Sequence, residues 1–162
     1  MKFDNNENFN ICSLCKGQCC KRMPGIVHPN QLEQPITKEL LLRLYKEGYQ
    51  FDYWEGDEYR NLRGRTGYFL RPQTLKSKGV LVDPSWGGTC VFLTEEGCSK
   101  IFEERPYMCQ QLKPSENFNC GPSEDNLKKY DYVLAWLEYN DLIEEIINEN
   151  NNSNSIENLE DW

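Results

Sequence analysis

Four of the chain's eight cysteines fall within nine residues, as Cys12-x2-Cys15-x3-Cys19-Cys20, and the rest follow as Cys90-x7-Cys98-x10-Cys109-x10-Cys120. Thiolates are soft donors favoured by zinc and by iron–sulfur clusters, and local chelation explains such close spacing. Two ligands separated by two residues grip one metal from a single turn, and Cys12 and Cys15 have that spacing. Adjacent cysteines behave differently, because successive side chains diverge. Cys19 and Cys20 therefore suit one polynuclear cluster or two separate ions better than one mononuclear site. The second group needs tertiary folding to converge. A lone cysteine reads as a small buried hydrophobe; four in nine residues read as a metal site.

This reading depends on the compartment. The N-terminal stretch MKFDNNENFNIC carries no apolar signal-peptide region. The longest purely aliphatic run is Leu40-Leu41-Leu42, far short of the ~20 residues a membrane span needs. The expectation is a cytoplasmic protein with no membrane role, in which thiols persist as thiols and clustered cysteines hold metal. Eighteen Lys and Arg against 26 Asp and Glu give a net charge of −8. A general nucleic-acid binder needs a positive face to meet phosphates, so that class is set aside.

Metal identity stays open between zinc and an iron–sulfur cluster. The spacing matches neither the paired CxxC of a zinc ribbon nor the ferredoxin run C-x2-C-x2-C-x3-C-P, and it lacks a CxxxCxxC run. His28, the only histidine, would complete a zinc site or serve as a surface or core histidine. Arg105-Pro106 beside Cys109 would offset the negative charge of a thiolate centre, or lie at the surface. Arg60, Arg63, Arg65, Arg71, Lys76 and Lys78 read as a solvated strand-and-loop face, and Glu95-Glu96 and Glu103-Glu104 as solvated pairs.

The elements that must position these residues come from hydrophobic patterning. At 162 residues the chain is one domain's worth, and 12% aromatic residues predict an aromatic-rich core. The fold class expected is α+β: a small, irregular, metal-stabilised single domain with short strands, two short helices and a long C-terminal amphipathic helix. Thr37 caps the first helix over Lys38–Glu47, and Gly48 stops it. Leu40, Leu41, Leu44 and Tyr45 share one face. Residues 49–59 show no clear period. Tyr68-Phe69-Leu70 and Val80-Leu81-Val82 read as strands. Glu95-Glu96-Gly97 turns the chain back to Cys98 as a tight hairpin. Ser99 caps a second short helix over Lys100–Arg105 that Pro106 ends or redirects. The long helix spans about Asp125 to Asn148, with Leu127, Tyr130, Leu134, Leu137, Ile143, Ile146 and Ile147 on its apolar stripe. The cysteine-cluster domain is assigned to 1–149, and 150–162 to a disordered Asn-rich acidic tail.

Taken together, Cys12-Ser-Leu-Cys15-Lys-Gly-Gln-Cys19-Cys20, Cys90-Val-Phe-Leu93, Gly97-Cys98 and Glu104-Arg105-Pro106-Tyr-Met-Cys109 resemble the zinc- or iron-chelating cysteine-cluster proteins of the CxxCxxCC, or YkgJ-like, family. The pieces span about residues 12–120. The resemblance implies a zinc ion or iron–sulfur cluster bound through the motif's cysteines, which extends the ligand set to Cys90, Cys98 and Cys109. Cys120 completes the second group of four. It implies no reaction, since most of the family is functionally undescribed. One branch with a similar architecture, flagellin lysine N-methylase, transfers methyl groups from S-adenosylmethionine. This chain is much shorter and has no GxGxxG loop, so no catalytic residue is assigned. Three roles follow: a metal-binding protein whose site stabilises the fold and presents a surface to a protein or peptide partner, an iron–sulfur-dependent protein-modifying enzyme, and a thiol-based metal carrier or redox sensor.

Overall fold

The computed structural model describes residues 24–54, 66–84, 88–95, 97–110 and 128–160. It is an α+β domain. Helix α1 (Lys38–Glu47) forms where the sequence predicts it: the Thr37 hydroxyl accepts the Leu40 amide, Glu39 sits in the first turn, and Gly48 closes the helix at φ +116°. That left-handed conformation favours glycine. Leu40, Leu41 and Leu44 are buried, while the Tyr45 hydroxyl donates to the carbonyl of Gly79 at the surface.

Strand β1 (Tyr49–Trp54) follows at once and pairs antiparallel with β2 (Gly67–Pro72), Phe51 opposite Leu70 and Asp52 opposite Phe69. The first strand lies within the stretch whose sequence shows no period. Tyr49 to Asp52 are all buried, and a strand covered on both faces loses its alternation. The pair is widened on both sides. The Val27 amide donates to Leu70 O at 2.9 Å. Across the other edge, Phe51 N donates to Leu81 O at 2.8 Å and Asp83 N to Phe51 O at 3.0 Å. The Val80–Val82 segment is therefore a single parallel bridge to β1 rather than a strand of its own.

Helices α3 (Lys129–Trp136) and α4 (Asn140–Glu160), joined by a 3-10 turn at Leu137–Tyr139, replace the single long helix expected from the sequence. The tighter turn shifts the helical phase, so the fully buried side chains are Tyr132, Val133, Trp136, Ile143 and Ile146. Tyr130, Leu134 and Leu137 are only half-buried, and Leu127 lies outside the described residues. The Trp136 indole donates to Val27 O at 2.7 Å, and Asn140 accepts the Tyr68 amide at 3.0 Å. These polar anchors hold the helices against β2, whose Phe69 and Leu70 complete the core with Phe51, Ile26 and Leu41. A Lys38–Glu149 ion pair ties α1 to α4. Helix α4 extends beyond residue 150, where composition places the Asn-rich tail. No helix among the described residues is long and apolar enough to cross a membrane.

Arg71 corrects the reading of the basic stretch. Its side chain is 2% exposed, and it donates to Asp52 at 2.9 Å, Gln50 at 2.6 Å and the Asp83 carbonyl at 2.7 Å. A buried guanidinium needs such partners to offset its desolvation. Lys76 and Lys78 are exposed as expected; Arg60, Arg63 and Arg65 lie outside the described residues.

Candidate metal centre

Three cysteines of the second group fall on the described residues, and each is positioned by a different short element. Cys90 forms an antiparallel bridge with Thr74, reinforced by Val91 N to Gln73 O at 3.0 Å and Leu75 N to Thr89 O at 2.9 Å. Thr74 is itself fixed from the core. Its hydroxyl shares a 2.7 Å hydrogen bond with Ser77, and the Ser77 hydroxyl reaches Gln50, which also accepts from Arg71. A chain of buried polar contacts thus runs from the Asp52–Arg71 pair to the backbone at Cys90.

Cys98 lies in a hairpin of β3 (Leu93–Thr94) and β4 (Gly97–Cys98), directly opposite Leu93. This is the predicted reversal at Glu95–Gly97. The Ser99 amide donates to Phe92 O at 2.7 Å. The helix expected over Lys100–Arg105 is reduced to a 3-10 turn at Phe102–Glu104, and Pro106 redirects the chain into a new helix. Helix α2 (Tyr107–Gln110) starts directly after it, with Pro106 O accepting the amides of Cys109 at 2.8 Å and Gln110 at 3.0 Å. A proline suits a helix start, where its missing N–H costs nothing.

Cys109 rides on α2 and rests against Gly25. A side chain on Gly25 would collide with Cys109 Sγ and stand 3.0 Å from its amide nitrogen. The bare glycine is therefore a seat for this sulfur. The same segment is held by Met108 N donating to Ile26 O at 3.3 Å.

None of the three is in a disulfide, and the fields of all three reach one phenol. Tyr49, 6% exposed, has its ionisation pushed well above the ordinary tyrosine range, first by burial and then by the fields of Cys90, Cys109, Glu47 and Cys98. Burial and the charge of Cys109 also raise Tyr132. Lys100 brings a cation to this sector: its ammonium lies 4.4 Å from the Phe92 ring centre and 5.6 Å from that of Tyr49. Such contacts with aromatic faces are favourable.

Among the described residues no three His, Cys, Asp or Glu side chains stand close enough to hold an ion. The three thiols share a sector without closing a coordination shell. Cys12, Cys15, Cys19, Cys20 and Cys120 lie outside the described residues. His28 is a core histidine. Its Nδ1 accepts the Asn30 amide at 3.1 Å, capping the Pro29–Gln31 turn, and its ring packs on Tyr107 and Tyr132. Burial lowers its pKa below 6.5. Arg105 is half-buried and donates from Nε to Lys100 O at 3.0 Å, bracing the turn that carries Glu103 and Glu104. Both of those carboxylates are exposed, as expected.

A family model named CxxCxxCC, described as a putative zinc- or iron-chelating domain, matches residues 11–133. The chain belongs to the CxxCxxCC family. All eight cysteines fall inside the matched span. No curated protein and no solved structure matches the chain. The donor chemistry of this CxxCxxCC domain fits the family's description: soft thiols suit zinc and iron–sulfur clusters, whereas magnesium and calcium select oxygen. Sequence reasoning missed Tyr49, Gly25 and Lys100. None belongs to a ligand pattern, and only their placement around the thiols marks them.

Proposed function

We propose that the chain is a cytoplasmic metal-binding module in which a zinc ion or iron–sulfur cluster is held by Cys90, Cys98 and Cys109 together with Cys12, Cys15, Cys19, Cys20 and Cys120. The observation that carries this reading is that the fields of Cys90, Cys98 and Cys109 all reach Tyr49, with Gly25 kept bare against Cys109. Chain connectivity supports it. Four residues separate Cys20 from Gly25, so covalent reach keeps Cys20 within ~18 Å of Gly25.

The role assigned to the metal is structural. The segment bearing Cys90, Cys98 and Cys109 has two-residue strands and a four-residue helix. Elements so short do not hold themselves together in water. When bound, the metal would cross-link segments far apart in sequence, in the way structural zinc contributes folding energy outright. Lys100 offsets the negative charge that thiolates bring to the sector.

The test is anaerobic purification with zinc, iron and sulfide measured on one sample, followed by single Cys→Ser variants. A colourless protein with tightly held zinc supports the zinc form. A brown protein with matched iron and sulfide and a broad band near ~400 nm supports the cluster form. In either case C90S, C98S and C109S each lower the metal content. A metal-free protein that stays folded and keeps its 88–110 segment protected from hydrogen exchange would overturn the proposal.

A further inference from the structure

The turn from Thr74 to Val80 is pinned to the core on its inner side. Two buried glutamines hold it. Gln50 donates to the carbonyls of Ser77 at 3.2 Å and Val80 at 2.9 Å, and Gln73 accepts the Gly79 amide at 2.9 Å. The Tyr45 hydroxyl donates to the Gly79 carbonyl, and the Thr74 and Ser77 hydroxyls bond to each other. On the outer side the turn is open. Gly79 sits at φ +84°, and a Cβ built on it would meet nothing within 4 Å. The backbone at this corner is therefore held in one conformation and is open to approach.

What the turn displays is apolar and basic. Leu75 is 61% exposed and Val80 45%, two of the three large apolar side chains left open among the described residues. Lys76 and Lys78 are exposed with them. A groove of about 460 Å³ beside Lys78 and Gly79 is also lined by Lys46, from the last turn of α1, and by Glu47. Lys46, Lys76 and Lys78 form no ion pair among the described residues. No acid occurs from Pro72 to Val82, in a chain whose net charge is −8. The local charge is thus opposite to that of the whole chain and complements an acidic surface. A loop already fixed in shape loses little entropy when a partner covers it. An anionic bilayer or a nucleic acid presents an extended negative surface to a whole side of this acidic chain, which repels it. A short acidic segment meets only the turn, within the ~8–10 Å over which charges act at moderate salt.

We propose that the Leu75–Val80 turn docks an acidic segment of a partner protein, whose apolar side chains cover Leu75 and Val80 and whose carboxylates meet Lys46, Lys76 and Lys78. The proposal is independent of what the thiols hold.

The test is an amide chemical-shift titration of the full chain, purified without oxygen, at low salt and with metal content measured on the same sample. The probes are an Asp-Leu-Glu-Leu-Asp peptide blocked at both ends, its uncharged Asn-Leu-Gln-Leu-Asn counterpart, and vesicles of phosphatidylserine and phosphatidylcholine. Saturable shifts at 75–80 and at Lys46 are expected with the acidic peptide. The uncharged peptide, or the combined Lys46→Gln, Lys76→Gln and Lys78→Gln changes, should bind roughly tenfold more weakly, the sum of several exposed ion pairs. Leu75→Ser with Val80→Ser should also weaken binding. All five side chains are exposed, so the thermal midpoint should hold. The proposal is overturned by no saturable shift with the acidic peptide, by equal binding of the uncharged one, or by indifference to the Leu75 and Val80 changes. It is also overturned if vesicles alone produce the shifts, or if concentrating the chain without peptide does, which would make a second copy the occupant. A metal-free chain that binds the acidic peptide would count against the metal-centre reading and leave this one standing.

Discussion

The sheet-and-helix body and the thiol-bearing arm at 88–110 are built by opposite means. The body has six-residue strands, an eight-residue helix and longer ones, and a core in which Phe51, Phe69, Tyr132 and Trp136 are fully buried. Its buried cation, Arg71, is answered by the equally buried Asp52 and by Gln50 and Asp83. The arm has two-residue strands, a single turn of helix and three cysteines outside any disulfide. It is held to the body by backbone bonds at Gln73, Thr89 and Ile26. The contrast teaches that the body folds on apolar burial, while the arm has little regular structure or core of its own and, on the proposed function, depends on the metal. Metal removal should therefore loosen the arm first.

The largest effect expected lies in the body. Arg71→Met leaves Asp52 buried without its cation, and breaking a buried pair from one side costs roughly 3–5 kcal/mol. Denaturant unfolding should show that loss equally with metal bound and with metal removed. A loss confined to the metal-bound form would break the comparison.

Gly25→Ala acts at the seam. The added methyl would displace Cys109 Sγ and crowd Met108, a cost of about 1–3 kcal/mol for overpacking. The expected signature is a fall in bound metal and faster hydrogen exchange at 107–110, with β1 and β2 protection unchanged. Equal loss across both regions would show that the arm and the body are one cooperative unit.

His28 sharpens the comparison through pH. Its folded pKa is lowered by burial, so the folded state favours the neutral ring. The unfolded chain, near 6.5, binds the proton more readily below that pH. The contribution is fully present above about 6.5 and is lost as pH falls through the folded value. Melting followed from pH 7.5 downward should show a decline that His28→Asn, which keeps a capping acceptor, makes shallower.

The smallest effect belongs to the Asn-rich end. Asparagine is a poor helix former, and we infer that residues 150–162 add little to stability. Deleting 152–162 should change unfolding free energy by no more than ~0.5 kcal/mol.

Much of the body is legible in the sequence. Thr37, the leucines and Gly48 specify α1 because cap, stripe and stop are local signals. Tyr68-Phe69-Leu70 marks β2 for the same reason. Strand β1 is not legible, because covering both faces erases the alternation that reveals a strand. Arg71 is misread as solvated, because burial of a charge depends on partners at Gln50, Asp52 and Asp83, and nothing local reports them. The helical stripe is displaced because a 3-10 turn at Leu137–Tyr139 resets the phase.

The sequence by itself determined the donor chemistry of this CxxCxxCC domain: eight thiols, their spacing, and the soft metals that spacing suits. Those properties are written in residue identity and short-range separation. Only the tertiary structure decided that the fields of Cys90, Cys98 and Cys109 reach Tyr49, that Gly25 seats Cys109, and that His28 is spent on a cap. Each of these joins residues distant in the chain, through hydrogen bonds and packing that exist only once β1 and β2 have paired and the helices have closed over them.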